Sequence, residues 1–301
     1  MIRIVSDSTA SLPASLSSDD VVKILSLYVN YHGKEYDDAV MDVDAFYGDI
    51  AAMIDDIPTS SQPSQQAFID TFEQAACAGD EVLGVFISSG LSGTYENALA
   101  AARIVAASHA SFRYAMIDST SCGGDEAFPL MAAIESVRNG HSLEHAAQAA
   151  LLSIQSTRFL FTPETLTYLQ RGGRIGSVAA LLGNLVQIAP VLTVQDCHPI
   201  PLEKVRTRKK ACKRIVEIMQ QDCEAHGGLK RIVVHYIGDR KPADEWAHAV
   251  IEPLVGHAVD VVPVSPVIGV HVGPAIGLVY ECMRPIKDKI TGSVQQYLCT
   301  S

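Results

Sequence analysis

The stretch Val82-Leu83-Gly84-Val85-Phe86-Ile87-Ser88-Ser89-Gly90-Leu91-Ser92-Gly93-Thr94-Tyr95 decides how this chain folds. Its first six residues are apolar, largely β-branched or aromatic, and uncharged, as in a strand buried on both faces. The next residues, Glu96-Asn97-Ala98-Leu99-Ala100-Ala101-Ala102-Arg103, are rich in helix formers. Residues 88–94 therefore make a strand-to-helix turn carrying three Ser, one Thr and two Gly. Free N–H groups at a helix start, with small hydroxyls beside them, form a natural receptor for a carboxylate or phosphate. The plain alternative is a Ser/Thr N-cap on an ordinary helix.

The same pattern recurs on either side. Ile2-Arg3-Ile4-Val5 runs into Asp7-Ser8-Thr9, and Tyr114-Ala115-Met116-Ile117 runs into Asp118-Ser119-Thr120-Ser121-Cys122-Gly123-Gly124. The loop Pro58-Thr59-Ser60-Ser61-Gln62-Pro63-Ser64 leads into a helix over 65–78, with Pro63 and Ser64 suited to a helix start. A strand is expected over 21–29, and helices over 44–54, 95–107 and 125–138. Repeated strand, polar turn and helix define an α/β layer with a mostly parallel sheet. Ligands of such sheets sit beyond the strand C-terminal ends, so four hydroxyl-rich turns are expected to converge on one crevice.

Ser142 caps a helix over 143–155, and a second half begins around Phe159. The expected division is an N-terminal α/β domain, residues 1–155, and a C-terminal α/β domain, residues 156–301. In the second half a helix over 164–170 ends at Arg171-Gly172-Gly173-Arg174, where glycines suit a helix C-terminus. Leu192-Thr193-Val194 and Ile200-Pro201-Leu202 read as a hairpin. A helix over 207–225, a strand over 231–237, a helix over 242–254 and a strand over 258–264 follow. Val270-His271-Val272-Gly273-Pro274 precedes a final strand over 276–281.

Composition narrows the function. The 301 residues carry 23 Lys and Arg against 34 Asp and Glu, a formal charge of −11 that argues against a nucleic-acid partner. The seven cysteines are scattered with no C-x-x-C pair, as expected for reduced thiols of a cytoplasmic protein. The chain opens on a strand with no signal peptide, in keeping with that location. Two uncharged stretches, 175–195 and 261–280, are long enough to raise the question of a membrane span. Gly183, Asn184 and Pro190 interrupt the first, and Pro263, Pro266 and Pro274 the second, so both read as core or pocket wall.

Several catalytic patterns fail on context. His141-Ser142-Leu143-Glu144-His145 has the H-x-x-E-H spacing of a zinc peptidase, but it straddles a turn and an N-cap. Gly90-Leu91-Ser92-Gly93 places its second Gly one position too early for a nucleophile elbow. Gly172-Gly173-Arg174-Ile175-Gly176 follows a helix rather than a strand and lacks dinucleotide-loop spacing. Hydrolase, metalloenzyme and dehydrogenase are set aside on these grounds.

What remains is an ordered set spanning nearly the whole chain: Asp7-Ser8-Thr9, the 59–64 loop, the 89–95 turn, Asp118-Ser119, Leu169-Gln170-Arg171-Gly172-Gly173-Arg174-Ile175, Lys204-Val205-Arg206-Thr207 and His271-Val272-Gly273-Pro274. In order and spacing this set closely resembles the DegV family, bacterial fatty-acid-binding proteins that serve a fatty acid kinase. The resemblance implies a two-domain DegV-like α/β fold with one long-chain fatty acid held between the domains. It implies that hydroxyls of the Ser60-Ser61-Gln62-Pro63 loop and the Leu91-Ser92-Gly93-Thr94 turn hold the acyl carboxylate, with His271 nearby. The ligand residues carried over are Ser60, Ser61, Ser92, Gly93, Thr94 and His271, and Arg174 and Arg206 would serve the kinase or the transferred phosphate. Ser60 stands where the family often has Thr, Ala275 replaces a Gly after Pro274, and Asp118-Ser119 is the weakest match.

Physical chemistry agrees with that assignment. A buried carboxylate must be hydrogen-bonded or paired, and hydroxyls with helix N-terminal N–H groups supply this without a full countercharge. His271 is also readable as a core histidine. Each buried CH2 contributes roughly 0.8 kcal/mol, so an acyl chain carries most of the affinity. Arg171, Arg174, Arg206 and Arg208 are either a basic patch for a partner or solvated helix-end charge. Residues 177–185, small and flanked by Gly176 and Gly183, are a candidate lid.

The expected function is a cytoplasmic carrier that needs no cofactor. It presents the acyl carboxylate to an ATP-dependent fatty acid kinase, holds the acyl phosphate and feeds phospholipid synthesis, without catalysing a reaction itself. Any contact with a membrane surface would be transient. The alternative is an enzyme acting on a small carboxylated or phosphorylated substrate in the same crevice.

Overall fold

The computed structural model describes residues 1–12, 21–182 and 188–287, and the backbone of 298–299. The chain begins with β1 (Ile2–Asp7), β2 (Val22–Leu25), β3 (Tyr28–Tyr31) and β4 (Lys34–Asp37). The single strand expected over 21–29 is therefore two. The Leu27 N–H donates to Ser8 Oγ at 3.0 Å, which takes the chain out of the first sheet. Leu27 and Val29, two positions apart and so on one face, then bury against Val267 and Val270. Helix α1 (Val43–Asp49) and the 3-10 segment Ile50–Asp55 share the span read as one helix, and β5 (Thr59–Ser61) follows.

Over the next hundred residues expectation and structure agree to within one position. These elements are α2 (Gln65–Ala78), β6 (Glu81–Phe86), α3 (Thr94–Ser108), β7 (Tyr114–Asp118), α4 (Gly124–Arg138) and α5 (Leu143–Ser156). Local chemistry marks the ends. Ser64 Oγ accepts from Ala67 N at 3.2 Å, Ser142 Oγ accepts from His145 N at 3.4 Å, and Gly79 closes α2 in the left-handed conformation.

The second half contains β8 (Thr157–Pro163), α6 (Thr167–Arg171), the 3-10 turn Gly176–Leu181, β9 (Ala189–Gln195), β10 (His198–Val205), α7 (Arg208–Ala225) and β11 (Leu229–Ile237). Then come α8 (Lys241–Trp246), α9 (Glu252–Val255), β12 (Val261–Pro263), α10 (Pro266–Val272), β13 (Ala275–Cys282) and β14 (Leu298–Cys299). The helix expected over 242–254 is broken by a π turn at Ala247–Ile251, just before Pro253, which supplies no N–H to the ladder. The strand expected over 258–264 shrinks to three residues. The candidate lid begins in the 3-10 turn, and its residues 183–185 lie outside the described residues. Among the described residues, no helix is long and apolar enough to cross a membrane.

Three sheets result. The first has the order β14-β7-β6-β1-β2, parallel throughout except for β14. Its two faces follow from alternation along β6. Leu83 and Val85 pack with Leu130, Ala133 and Ala147 of α4 and α5, whereas Val82 and Phe86 pack with Phe68, Phe72 and Ala102 of α2 and α3. The second sheet has the order β10-β9-β8-β13-β11-β12 and is antiparallel apart from β11–β12. A small sheet, β4-β3-β5, sets Ser60 opposite Val29.

Helix α4 joins the two large sheets. It is buried almost all round, even at Asp125 and Glu126 of its first turn, as a helix covered on both sides must be. Leu130 and Ile134 face the first sheet's core, and Phe128 belongs to the second's. At its start the Gly124 N–H donates to His235 Nε2 of β11 at 2.9 Å, and the other ring nitrogen of His235 bonds Val262 O at 2.8 Å.

Candidate ligand-binding site

A cavity of about 350 Å³ lies where the small sheet, the turn after β6, the second sheet and α10 meet. That volume is within the usual range for a small-molecule site. Its wall is mostly apolar. Leu27, Ile87, Cys122, Val194 and Val267 contribute to it, together with Phe159 and Phe161, which share one face of β8.

Its polar residues form one contiguous group. Ser60, at the middle of β5, meets His271 Nε2 at 2.7 Å. Ser61 beside it accepts from Asn30 Nδ2 at 3.2 Å. His271 comes from the last turn of α10, where Pro266 at the first position and burial on every side hold a short helix. Its Nδ1 is buried without a partner among the described residues and lies against Gly172, 2.5 Å from where a Cβ would sit. Gly172 therefore cannot be enlarged without moving the imidazole. Gly273 has φ +72° and the Tyr168 ring 2.3 Å from its missing Cβ. The two glycine-bearing motifs are thus one packing contact, α6 against α10.

Arg174 extends this group. Its Nε donates to Leu91 O at 3.2 Å and a terminal nitrogen donates to Gly172 O at 2.7 Å, so it ties the turn after β6 to the end of α6. Ser92 Oγ bonds Thr94 Oγ1 at 2.8 Å and accepts from the Thr94 N–H at 3.3 Å, fixing the start of α3. Gly93 is the N-cap of α3 and lines the cavity beside Gln62. The helix N-terminus and Arg174 make this end electropositive. His271 is kept neutral, its pKa lowered to about 4 by burial and by the nearby Arg174 charge.

Beneath the cavity lies a buried acidic pair. Asp7 accepts from Thr9 N and from Ile87 N, both at 2.9 Å. Thr9 Oγ1 is 2.6 Å from Asp7 Oδ1 and 2.9 Å from Glu126 Oε2. A hydroxyl has one hydrogen to give. One carboxyl must therefore keep its proton, and Glu126, which receives no N–H there, is the one that does. Burial and the Asp7 charge push the Glu126 pKa well up, whereas burial raises Asp7 only to about 6.

Of the residues singled out from sequence, Ser60, Ser61, Ser92, Gly93, His271 and Arg174 line the cavity. Thr94 is fully buried behind it, with its hydroxyl on Ser92. Arg206 is exposed on the bend after β10. Arg171 donates to Ile54 O, and Arg208 pairs with Glu164 at 2.7 Å. The four hydroxyl-rich turns do not all converge. Ser8 and Thr9 serve the acidic pair and the β2–β3 break, and the turn after β7 contributes only Cys122 to the wall. Glu144 of the H-x-x-E-H stretch turns to Arg113. Sequence reasoning overlooked Gln62 and the Phe159/Phe161 pair as wall residues. The alternation of aromatics along β8 was the available signal.

The fold and this cavity define a class: an α/β protein of two large sheets holding an apolar cavity with one polar, electropositive end. The family model described as "Uncharacterised protein, DegV family" matches residues 1–282, and the chain belongs to that family. A DegV domain-containing protein of Clostridium perfringens is 32% identical over 280 residues, 93% of this chain and 98% of that protein. Among solved structures, the "Fatty Acid Binding of a DegV family Protein from Thermus thermophilus" superposes with a TM-score of 0.82 at 29% identity, covering 94% of this chain and 99% of that one. A stearic-acid-binding protein from Eubacterium ventriosum matches at TM-score 0.82 and 28% identity, covering 93% and 98%.

Proposed function

We propose that this protein binds a long-chain fatty acid in the cavity. The carboxylate sits at the Ser60, Ser61, Ser92 and His271 end, and the acyl chain lies along the wall that includes Phe159 and Phe161. The observation that carries this reading is the segregation of the wall, with one polar group and apolar surface elsewhere. The neutral imidazole supports it too. With Nε2–H donated to Ser60 Oγ, the Ser60 hydroxyl is free to donate to a carboxylate, and Nδ1 is left as a bare lone pair. The names of the solved relatives point to the same ligand class.

The further role is presentation to an ATP-dependent fatty acid kinase. The bound carboxylate oxygen attacks the terminal phosphorus of ATP, ADP leaves, and the acyl phosphate stays on the carrier for phospholipid synthesis. In this reading the protein works in the cytoplasm, supplies no catalytic group and needs no cofactor. Arg174, which lines the cavity, and Arg206, which is exposed, serve the kinase interaction or the transferred phosphate in this reading.

Native mass spectrometry of purified protein, followed by extraction under denaturing conditions, tests the ligand. A stoichiometric long-chain fatty acid is expected. A protein still empty after incubation with a panel of fatty acids would overturn the reading in favour of a small-substrate enzyme. For the kinase step, full-rate phosphorylation with both Arg174→Ala and Arg206→Ala would contradict the roles given to those residues.

A further inference from the structure

Cys223, near the end of α7, and Cys282, the last residue of β13, face each other with their sulfurs 3.8 Å apart. Among the described residues no other two cysteine sulfurs are in contact. The surrounding bonds hold the two elements in place: Asp222 accepts from Arg158 at 2.6 Å and from the Tyr280 hydroxyl. Cys282 is 1% exposed, whereas Cys223 is only partly buried. We propose that this pair is an oxidation site, in which a peroxide or a small-molecule disulfide converts the two thiols into an intrachain disulfide.

The roles follow from exposure and hydrogen bonding. The S–H of Cys282 is directed at Cys223, which holds the Cys223 thiol below its ordinary pKa, while the same bond and burial push Cys282 up. A more acidic, accessible thiol beside a buried second thiol is the arrangement of an attacking and a resolving cysteine. With hydrogen peroxide, the Cys223 thiolate attacks one oxygen, the O–O bond breaks, and hydroxide leaves and is protonated to water. Cys223 is then a sulfenic acid. The Cys282 sulfur attacks it, the S–S bond forms, the S–O bond breaks, and a second water leaves. Two thiols lose two electrons in all, and one peroxide becomes two waters. The cross-link staples the end of α7 to β13 and involves no residue of the cavity wall.

The test is to oxidise the full-length protein with hydrogen peroxide or oxidised glutathione and map its peptides without reduction. The expected product is a Cys223–Cys282 linked peptide, lighter by two hydrogens and lost on reduction, with Tm raised by roughly 5–10 °C because a long loop is closed. Cys223→Ser and Cys282→Ser should each abolish both changes. Fatty-acid content should be the same before and after oxidation, so the outcome is independent of the ligand assignment. Stable sulfinic acid or glutathione adducts on the two cysteines with no link between them would overturn the proposal. So would a link made instead by Cys77, which is exposed.

Discussion

Ser60 carries the most direct consequence at the scale of single residues. If its hydroxyl donates to a ligand carboxylate, removing it leaves a charged acceptor short of one bond, a loss of about 1.5–3 kcal/mol. Ser60→Ala should therefore weaken fatty-acid binding by roughly 10- to 150-fold in Kd. Titration with a fluorescent fatty acid reads this, and unchanged affinity would remove Ser60 from the site. The buried acidic pair yields a second prediction. Gln at 126 keeps a donor for Thr9, so Glu126→Gln should stay within about 1 kcal/mol of the wild type at neutral pH. Asp7→Asn points an NH2 at the N–H groups of Thr9 or Ile87 and should cost about 2–4 kcal/mol. Urea midpoints decide between them, and equal damage by both would contradict the assignment of the proton to Glu126.

At the scale of elements, the contact between α6 and α10 is the most constrained. Gly273→Ala forces a side chain into a left-handed conformation and against the Tyr168 ring. It should destabilise the fold by about 2–4 kcal/mol, read again from urea unfolding; a change under about 1 kcal/mol would mean that the ring moves freely. The same helix shows where sequence reading stops. Val267, Ile268, Val270 and Val272 are β-branched and carry no helical stripe, so Pro266 is the one local mark of a helix start and nothing local sustains it. It forms because its apolar residues pack against the small sheet and into the second sheet's core, which is a tertiary fact. By contrast, α2 to α5 carry their own signals in caps, alternation and helix formers, and were legible to within a residue. The break between β2 and β3 was not, since it depends on the bond from Leu27 to Ser8, nineteen positions earlier. The site was legible as motifs, yet the interlock of Gly172 with His271 appears only once α6 and α10 are packed.

For the whole molecule, His235 couples the layers and makes stability depend on pH. Burial lowers its pKa from 6.5 to about 4, so its contribution is complete above pH 6.5 and is lost as pH falls through about 4. The loss is at most about 3 kcal/mol. His271, lowered in the same way, adds in the same direction. Asp7 acts in the opposite sense. Its pKa is raised from 3.8 to about 6, so its contribution is complete below 3.8 and is lost as pH rises through about 6. Comparing wild type with His235→Gln across this range isolates the histidine. The variant should start less stable at pH 7 and lose less on acidification, and parallel curves would show that His235 takes up its proton as readily folded as unfolded.

The central claim is the orientation of a fatty acid in the cavity, carboxylate at the hydroxyls and tail along the aromatic wall. A crystal structure of the protein with a long-chain fatty acid brominated at its terminal carbon tests this most directly, because the bromine is located by its own anomalous scattering. The account predicts carboxylate oxygens within hydrogen-bonding distance of Ser60 and Ser92, and bromine against the apolar wall that includes Phe159 and Phe161. Bromine beside His271, or a carboxylate placed away from the Ser60–His271 pair, would contradict it.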